Sequence, residues 1–182
     1  MRKALLLVAC GILWSDTSIA QPTDFLLAPG RAGRVEIGMP VDDVRREFGE
    51  GNVRLVDLRK EGRFTPALEV RLPSRPEIAA LLVDVREWPC AEFAVWGVNV
   101  KDPRFRTREG LGVGSTLAEL RRAYEIKITE EEGHAAIVTA LRMTFSMTTG
   151  NPLDQQRVLS VWLWPDPIGV HTRRCPERPI GK

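Results

Sequence analysis

Ile37-Gly38-Met39-Pro40-Val41-Asp42-Asp43-Val44-Arg45-Arg46-Glu47-Phe48 returns 76 residues downstream as Val113-Gly114-Ser115-Thr116-Leu117-Ala118-Glu119-Leu120-Arg121-Arg122-Ala123-Tyr124. Three of the twelve pairs are identical and five more are conservative. A second window, Val83-Asp84-Val85-Arg86-Glu87-Trp88-Pro89, matches Leu159-Ser160-Val161-Trp162-Leu163-Trp164-Pro165 at the same offset. A chance match in one window does not constrain the other, so the reading is two copies of one unit. Each copy starts with a helix, because Val41, Val44 and Phe48, and likewise Leu117, Leu120 and Tyr124, fall at i, i+3 and i+7 on one face. Pro40 suits a first helical turn, where its missing N–H has no partner to lose. Thr116 with Glu119 spells a capping box, with Ser115 a competing N-cap. The arginine pairs Arg45-Arg46 and Arg121-Arg122 read as solvated helix surface.

Beyond each helix the hydrophobic period becomes two. Leu68, Val70 and Leu72 alternate with Glu69 and Arg71, and Val83 and Val85 with Asp84 and Arg86. The second copy repeats the pattern in Leu141, Met143, Phe145 and Met147, then in Leu159, Val161 and Leu163. Such alternation is the mark of antiparallel strands with one dry and one wet face. Further strands are expected over 52–58 and 125–129, and 93–100 bridges the copies, with Trp96 in the core beside Val98 and Val100. A unit of about 75 residues has a marginal core alone, and no Pro/Gly/Ser linker separates the two. The expected fold is therefore α+β: tandem helix-plus-meander repeats forming one continuous sheet with helices on one face.

Composition is ordinary for a globular chain, 43% hydrophobic and 27% charged, which excludes collagen-like, disulfide-dense and disordered classes. Arg2 and Lys3, an apolar stretch from Ala4 to Trp14, and Ser18-Ile19-Ala20 read as a signal peptide over 1–20. Residues 21–100 then form the first copy with its bridging strand, and 101–182 the second with a C-terminal tail. Leu7-Val8-Ala9-Cys10 also resembles a lipobox, so lipid anchoring through Cys10 is the alternative to plain periplasmic or secreted export. The mature chain is nearly neutral, with 24 Lys+Arg against 23 Asp+Glu. No basic field that would gather nucleic acid is expected, although Arg104, Arg106 and Arg108 could cluster locally. No stretch of the mature chain is apolar enough to span a membrane. Cys90 and Cys175 are an even pair in an oxidising compartment and are expected to form a disulfide, worth about 4 kcal/mol by chain entropy.

The helix opened by Gly-Met-Pro or Gly-Ser-Thr and followed by a meander, present twice, resembles the β-lactamase-inhibitor-protein-like fold. The single unit is similar to the SmpA/OmlA outer-membrane assembly lipoproteins. The match runs from Ile37 to Gly49 and from Val113 to Tyr124. The resemblance implies that fold and a role in binding proteins or serving the cell envelope.

Linear motifs for chemistry are few. Gly110-Leu111-Gly112-Val113-Gly114-Ser115-Thr116 invites a phosphate-loop reading, but no Lys precedes Ser115-Thr116, and a structural turn into a capped helix is favoured. Glu130-Glu131-Glu132-Gly133-His134 resembles a ligand cluster, yet adjacent glutamates on a strand alternate faces, so a charged hairpin tip is expected and no metal or cofactor is assigned. His134 and His171 are the only histidines. The reading favours binding over catalysis; a small periplasmic enzyme with a non-linear site is the alternative. The candidate surface is the sheet face opposite the core: Glu69, Arg71, Asp84, Arg86, Trp88, Arg142, Thr144, Ser146, Ser160, Trp162 and Trp164. Aromatics and arginines on a solvated sheet are the residues that dominate interfaces. The competing reading has the C-terminal tail covering Trp88 and Trp164, leaving Trp162 a lone exposed aromatic.

Overall fold

The computed structural model describes residues 23–60, 62–88, 91–129, 134–149 and 152–165. The expected signal peptide, Cys90, Cys175, His171 and the Glu130–Gly133 tip lie outside the described residues. The described chain begins with a single 3₁₀ turn and then three short strands, β1 (Leu27–Ala28), β2 (Arg31–Ala32) and β3 (Val35–Glu36), which pair into a small sheet of their own. Helix α1 (Val41–Phe48) is followed by β4 (Val53–Lys60), β5 (Arg63–Leu72), β6 (Arg75–Trp88) and β7 (Ala91–Val100). Helix α2 (Leu117–Ala123) is followed by β8 (Lys127–Thr129), β9 (Ala135–Val138), β10 (Met143–Met147) and β11 (Val158–Leu163). These last eight strands form one antiparallel sheet in the order β4-β5-β6-β7-β11-β10-β9-β8. The chain is thus α+β, with a single continuous sheet closed at its centre by β7 against β11, where Val161 stands opposite Val100.

Alternation decides which side of this sheet is dry. One row crosses all eight strands: Val53, Val70, Leu81, Val100, Val161, Phe145, Ala136 and Ile128. All are apolar, and all but the edge residue Ile128 are buried. The adjacent row reads Arg54, Glu69, Leu82, Asn99, Trp162, Thr144, Ile137 and Lys127. Because successive side chains point to opposite faces, the apolar row builds the core and the adjacent row faces away from it. The core row is covered by Val44 of α1, by Leu117 and Leu120 of α2, and by Leu27, Ala32 and Val35 of the small sheet, all in one apolar cluster. Phe105 and Leu111 from the segment before α2 complete that cover, Phe105 meeting Phe25 edge to face at 5.2 Å.

The helix starts behave as their sequences require. Thr116 Oγ1 accepts from the Glu119 N–H at 3.3 Å while the Glu119 carboxylate accepts from the Thr116 N–H at 2.7 Å, which is the reciprocal capping box. Pro40 caps α1 with no side-chain bond. Each helix entry is also tied to a central strand. Gly38 N–H donates to Val95 O at 2.8 Å and Val95 N–H to Met39 O at 2.9 Å; Gly114 N–H donates to Val158 O and Val158 N–H to Ser115 O, both at 2.8 Å. Gly38 and Gly114 take φ of 87° and 91°, a region that side-chain-bearing residues disfavour.

Four expectations are corrected. Leu159 is not in the core: it is 57% exposed, because β11 bulges where Ser146 faces Ser160 but Met147 faces Val158, and Val158 takes the buried place. Trp96 is not in the core with Val98 and Val100, since β7 bulges between Gly97, opposite Asp84, and Val95, opposite Val85. Leu141 lies in a 3₁₀ turn rather than in β10. The downstream matched window does not put Trp88 and Trp164 in equivalent strands, since Trp88 ends β6, between β5 and β7, whereas Trp164 follows β11, between β7 and β10.

Candidate functional site

Trp162 occupies the middle of the face turned away from the core, between Asn99 on β7 and Thr144 on β10. Its indole lies across Gly97: a Cβ added there would stand 2.6 Å from Trp162 Cζ2. Only a glycine leaves room for that approach. Trp164 is oriented by its Nε1–H, which donates to Thr144 Oγ1 at 3.1 Å. Trp96, displaced by the bulge, meets Arg86, whose Cζ sits 4.3 Å from the ring centroid in a cation–π contact. Three indoles, from β7, from β11 and from the residue that follows β11, therefore share one partly exposed surface with an exposed arginine.

Polar groups surround them. Asp84, opposite Ala67 and Gly97, is only 9% exposed. Asn99 Oδ1 is buried with no hydrogen-bond partner among the described residues. Glu69 and Arg71 are bonded to each other at 2.6 Å, and Arg71 also donates to Pro76 O at 2.9 Å. Ser146 and Ser160 stand opposite one another on the same face.

Of the surface expected from sequence, Glu69, Arg71, Asp84, Arg86, Thr144, Ser160, Trp162 and Trp164 share this face. Trp88 lies in β6, its side chain outside the described part of the chain. Arg142 does not join them. It caps the 3₁₀ turn Thr139–Leu141 in the left-handed conformation, φ 53°, and its guanidinium reaches Gly30, between β1 and β2. Alternation along a strand says nothing about a residue at such a reversal. Trp96, Asn99 and Leu82 were missed. Asn99 could have been found by its place between Val98 and Val100, whereas the bulge hid Trp96.

The remaining candidates resolve into structure. In the glycine-rich segment Gly110 N–H donates to Thr107 O, Leu111 N–H to Thr107 Oγ1, Gly112 N–H to Ser115 Oγ and Gly114 N–H to Val158 O, so these amides are engaged within the protein. Arg104 is held by Asp102 and Ser74 and lies 5.0 Å from the Phe25 ring, while Arg106 bonds Ser115. The Arg104 guanidinium holds the Asp102 carboxyl below its usual range. Tyr124 OH sits 2.7 Å from Thr107 Oγ1 and hydrogen-bonds Glu109; burial, then that carboxylate, push its pKa up to about 12. A cleft of about 410 Å³ beside Tyr124, Ile126 and Ile137 sits at the β8 edge, away from the tryptophans. His134 is half-buried, its Nδ1 without a partner among the described residues, where no three His, Cys, Asp or Glu residues are grouped as metal ligands. No helix among those residues is long and apolar enough to cross a membrane.

Fold and surface together define an α+β protein with one eight-stranded antiparallel sheet, covered on one face and bearing tryptophans on the other. Its fold is similar to that of the uncharacterized protein yfeY from Escherichia coli, with a TM-score of 0.55 at 9% sequence identity over 78% of this chain and 99% of that one. At that identity the likeness is one of fold. No family model matches the sequence, and no curated protein matches it.

Proposed function

We propose that this protein is exported to the cell envelope and binds another protein or envelope component through the open sheet face, without catalysis. The observation that carries the reading is the grouping of Trp96, Trp162 and Trp164 with Arg86 on a face that no described element covers. Partly exposed tryptophan and arginine at the centre of a surface are the residue types that dominate binding energy.

The chain is read as two copies of a helix followed by a four-strand meander, in the manner of the β-lactamase-inhibitor-like and SmpA/OmlA proteins. The paired bonds from Gly38 and Met39 to Val95, and from Gly114 and Ser115 to Val158, support this. They put Val95 on Val158, so that β7 answers to β11 and β6 to β10. Residues 1–20 act as the export signal, with lipid attachment at Cys10 the alternative. A Cys90–Cys175 disulfide fits the strand directions: β11 runs antiparallel to β7, so the chain leaving Leu163, opposite Val98, is directed toward the Ala91 end. Cys175 is the tenth residue after Pro165, and ten residue steps span up to about 33 Å.

The test is affinity capture from envelope extract with the mature protein and its Arg86→Ala/Trp162→Ala variant. The variant should lose at least about tenfold in partner affinity while keeping its circular dichroism spectrum. Equal capture by both proteins overturns the reading. Intact mass of the exported protein, with two free thiols or a lipid adduct on Cys10, would overturn the disulfide or the plain export.

A further inference from the structure

The charges on the open face indicate the chemistry of its partner, an inference that rests on that face being the binding surface. Over the whole chain 26 Lys+Arg nearly balance 24 Asp+Glu. Strand alternation nevertheless sends Arg54, Arg63, Arg71, Arg86 and Lys127 to this one side. Acids on this side are engaged: Glu69 is bonded to Arg71 at 2.6 Å, Asp84 is 9% exposed, and Glu77, two residues from the Ala79 that faces Arg71, is paired with Arg75 at 3.6 Å. Arg54, Arg63 and Lys127 are exposed and make no ion pair among the described residues. Exposed cations therefore share the tryptophan face of a nearly neutral protein, most of them on the β4-β5-β6 flank and Lys127 at the β8 edge.

That charge decides between occupants. A second copy stacked face to face would set arginines against arginines, a like-charge arrangement that disfavours association. An anionic bilayer would satisfy the charge, but Phe64 at 72% and Leu55 at 58% exposure belong to the opposite face by alternation, which leaves this side Leu159, at 57%, beside indoles that are only partly exposed. The cations are mostly arginine, whose planar fork pairs with carboxylates through two parallel hydrogen bonds. We propose that the open face docks an acidic protein surface, whose carboxylates meet Arg54, Arg63 and Arg86 on the β4-β5-β6 flank of the tryptophan centre.

The experiment is a tryptophan-fluorescence titration of the mature protein with poly-L-glutamate, and separately with phosphatidylglycerol vesicles. Poly-L-glutamate should give a saturable change whose affinity drops at least about tenfold when salt rises from about 50 to 200 mM, where the screening length shortens. Arg54→Glu/Arg86→Glu should lose at least about tenfold in affinity with an unchanged melting temperature, and Arg122→Glu on α2 should bind as the parent does. No saturable change, or equal binding by the Arg54→Glu/Arg86→Glu protein, overturns the proposal. Binding to vesicles alone assigns the face to a membrane, and self-association relieved by Arg86→Glu assigns it to a second copy; both overturn it too. If an envelope partner is lost with Arg86→Ala/Trp162→Ala yet ignores salt and the Arg54→Glu/Arg86→Glu charge reversal, the binding reading stands and the acidic-partner inference falls.

Discussion

Gly97 is the floor on which Trp162 rests: the indole Cζ2 and Cη2 lie 2.6 and 2.7 Å from where a Cβ at residue 97 would be. Gly97→Ala forces the ring to rotate off the sheet or β7 to move. The expected cost is about 1–3 kcal/mol, the range for overfilling a packed site. Urea denaturation measures it, and the near-ultraviolet circular dichroism of the tryptophans should change with it. A variant that alters neither would mean the two residues are not in contact.

The α2 cap gives a contrast between the helices. Thr116→Ala removes the hydroxyl that accepts from Glu119 N–H and should cost about 1 kcal/mol. Pro40→Ala at the α1 start removes no side-chain bond and should cost less. Chemical denaturation of both variants checks the order; a larger loss at residue 40 would reverse the assignment.

Acid should weaken the fold through Asp102. Its side chain is 1% exposed and bonded to Arg104 at 2.7 Å, which depresses its pKa below 3.8. A depressed folded-state pKa means that this stabilisation is complete above the unfolded value and is lost as pH falls through the folded one. Asp102→Asn should therefore be less stable than the parent at pH 7 and show a shallower loss of stability below about pH 4. An identical acid-unfolding profile would contradict the pairing.

Alkali should act through Tyr124, the only tyrosine in the chain. With its pKa pushed from 10.0 up to about 12, its contribution is full below pH 10 and is lost as pH rises toward 12. Absorbance at the phenolate band, corrected with Tyr124→Phe, reads this one group. A midpoint at the ordinary value would show that Tyr124 is not held by its burial and by Glu109.

Much of the fold was legible because alternation is a local property. Val83 against Asp84, or Phe145 against Thr144, declares which face is dry before any partner strand is known. What alternation cannot report is a break in itself. The bulges at Trp96 and Leu159 each insert one residue and reverse the side on which it is expected. The left-handed Arg142 escapes for the same reason. Strands β1 to β3 have two residues each, too few to display any period. The offset of 76 aligns two helix entries that each carry a positive-φ glycine, but its downstream windows fall on strands differently placed in the sheet, β6 between β5 and β7 and β11 between β7 and β10. The tryptophan centre was half visible: Trp162 and Trp164 follow from alternation, while Trp96 and the glycine floor depend on cross-strand register.

The most direct test of a binding role for the open face is photocrosslinking in the intact envelope, with a benzophenone amino acid placed at Arg86 on that face or at Arg122 on α2. The expected result is a discrete higher-mass adduct from position 86 and none from position 122. Adducts from position 122 alone, with none from 86, would put the partner on the helical side and contradict the account.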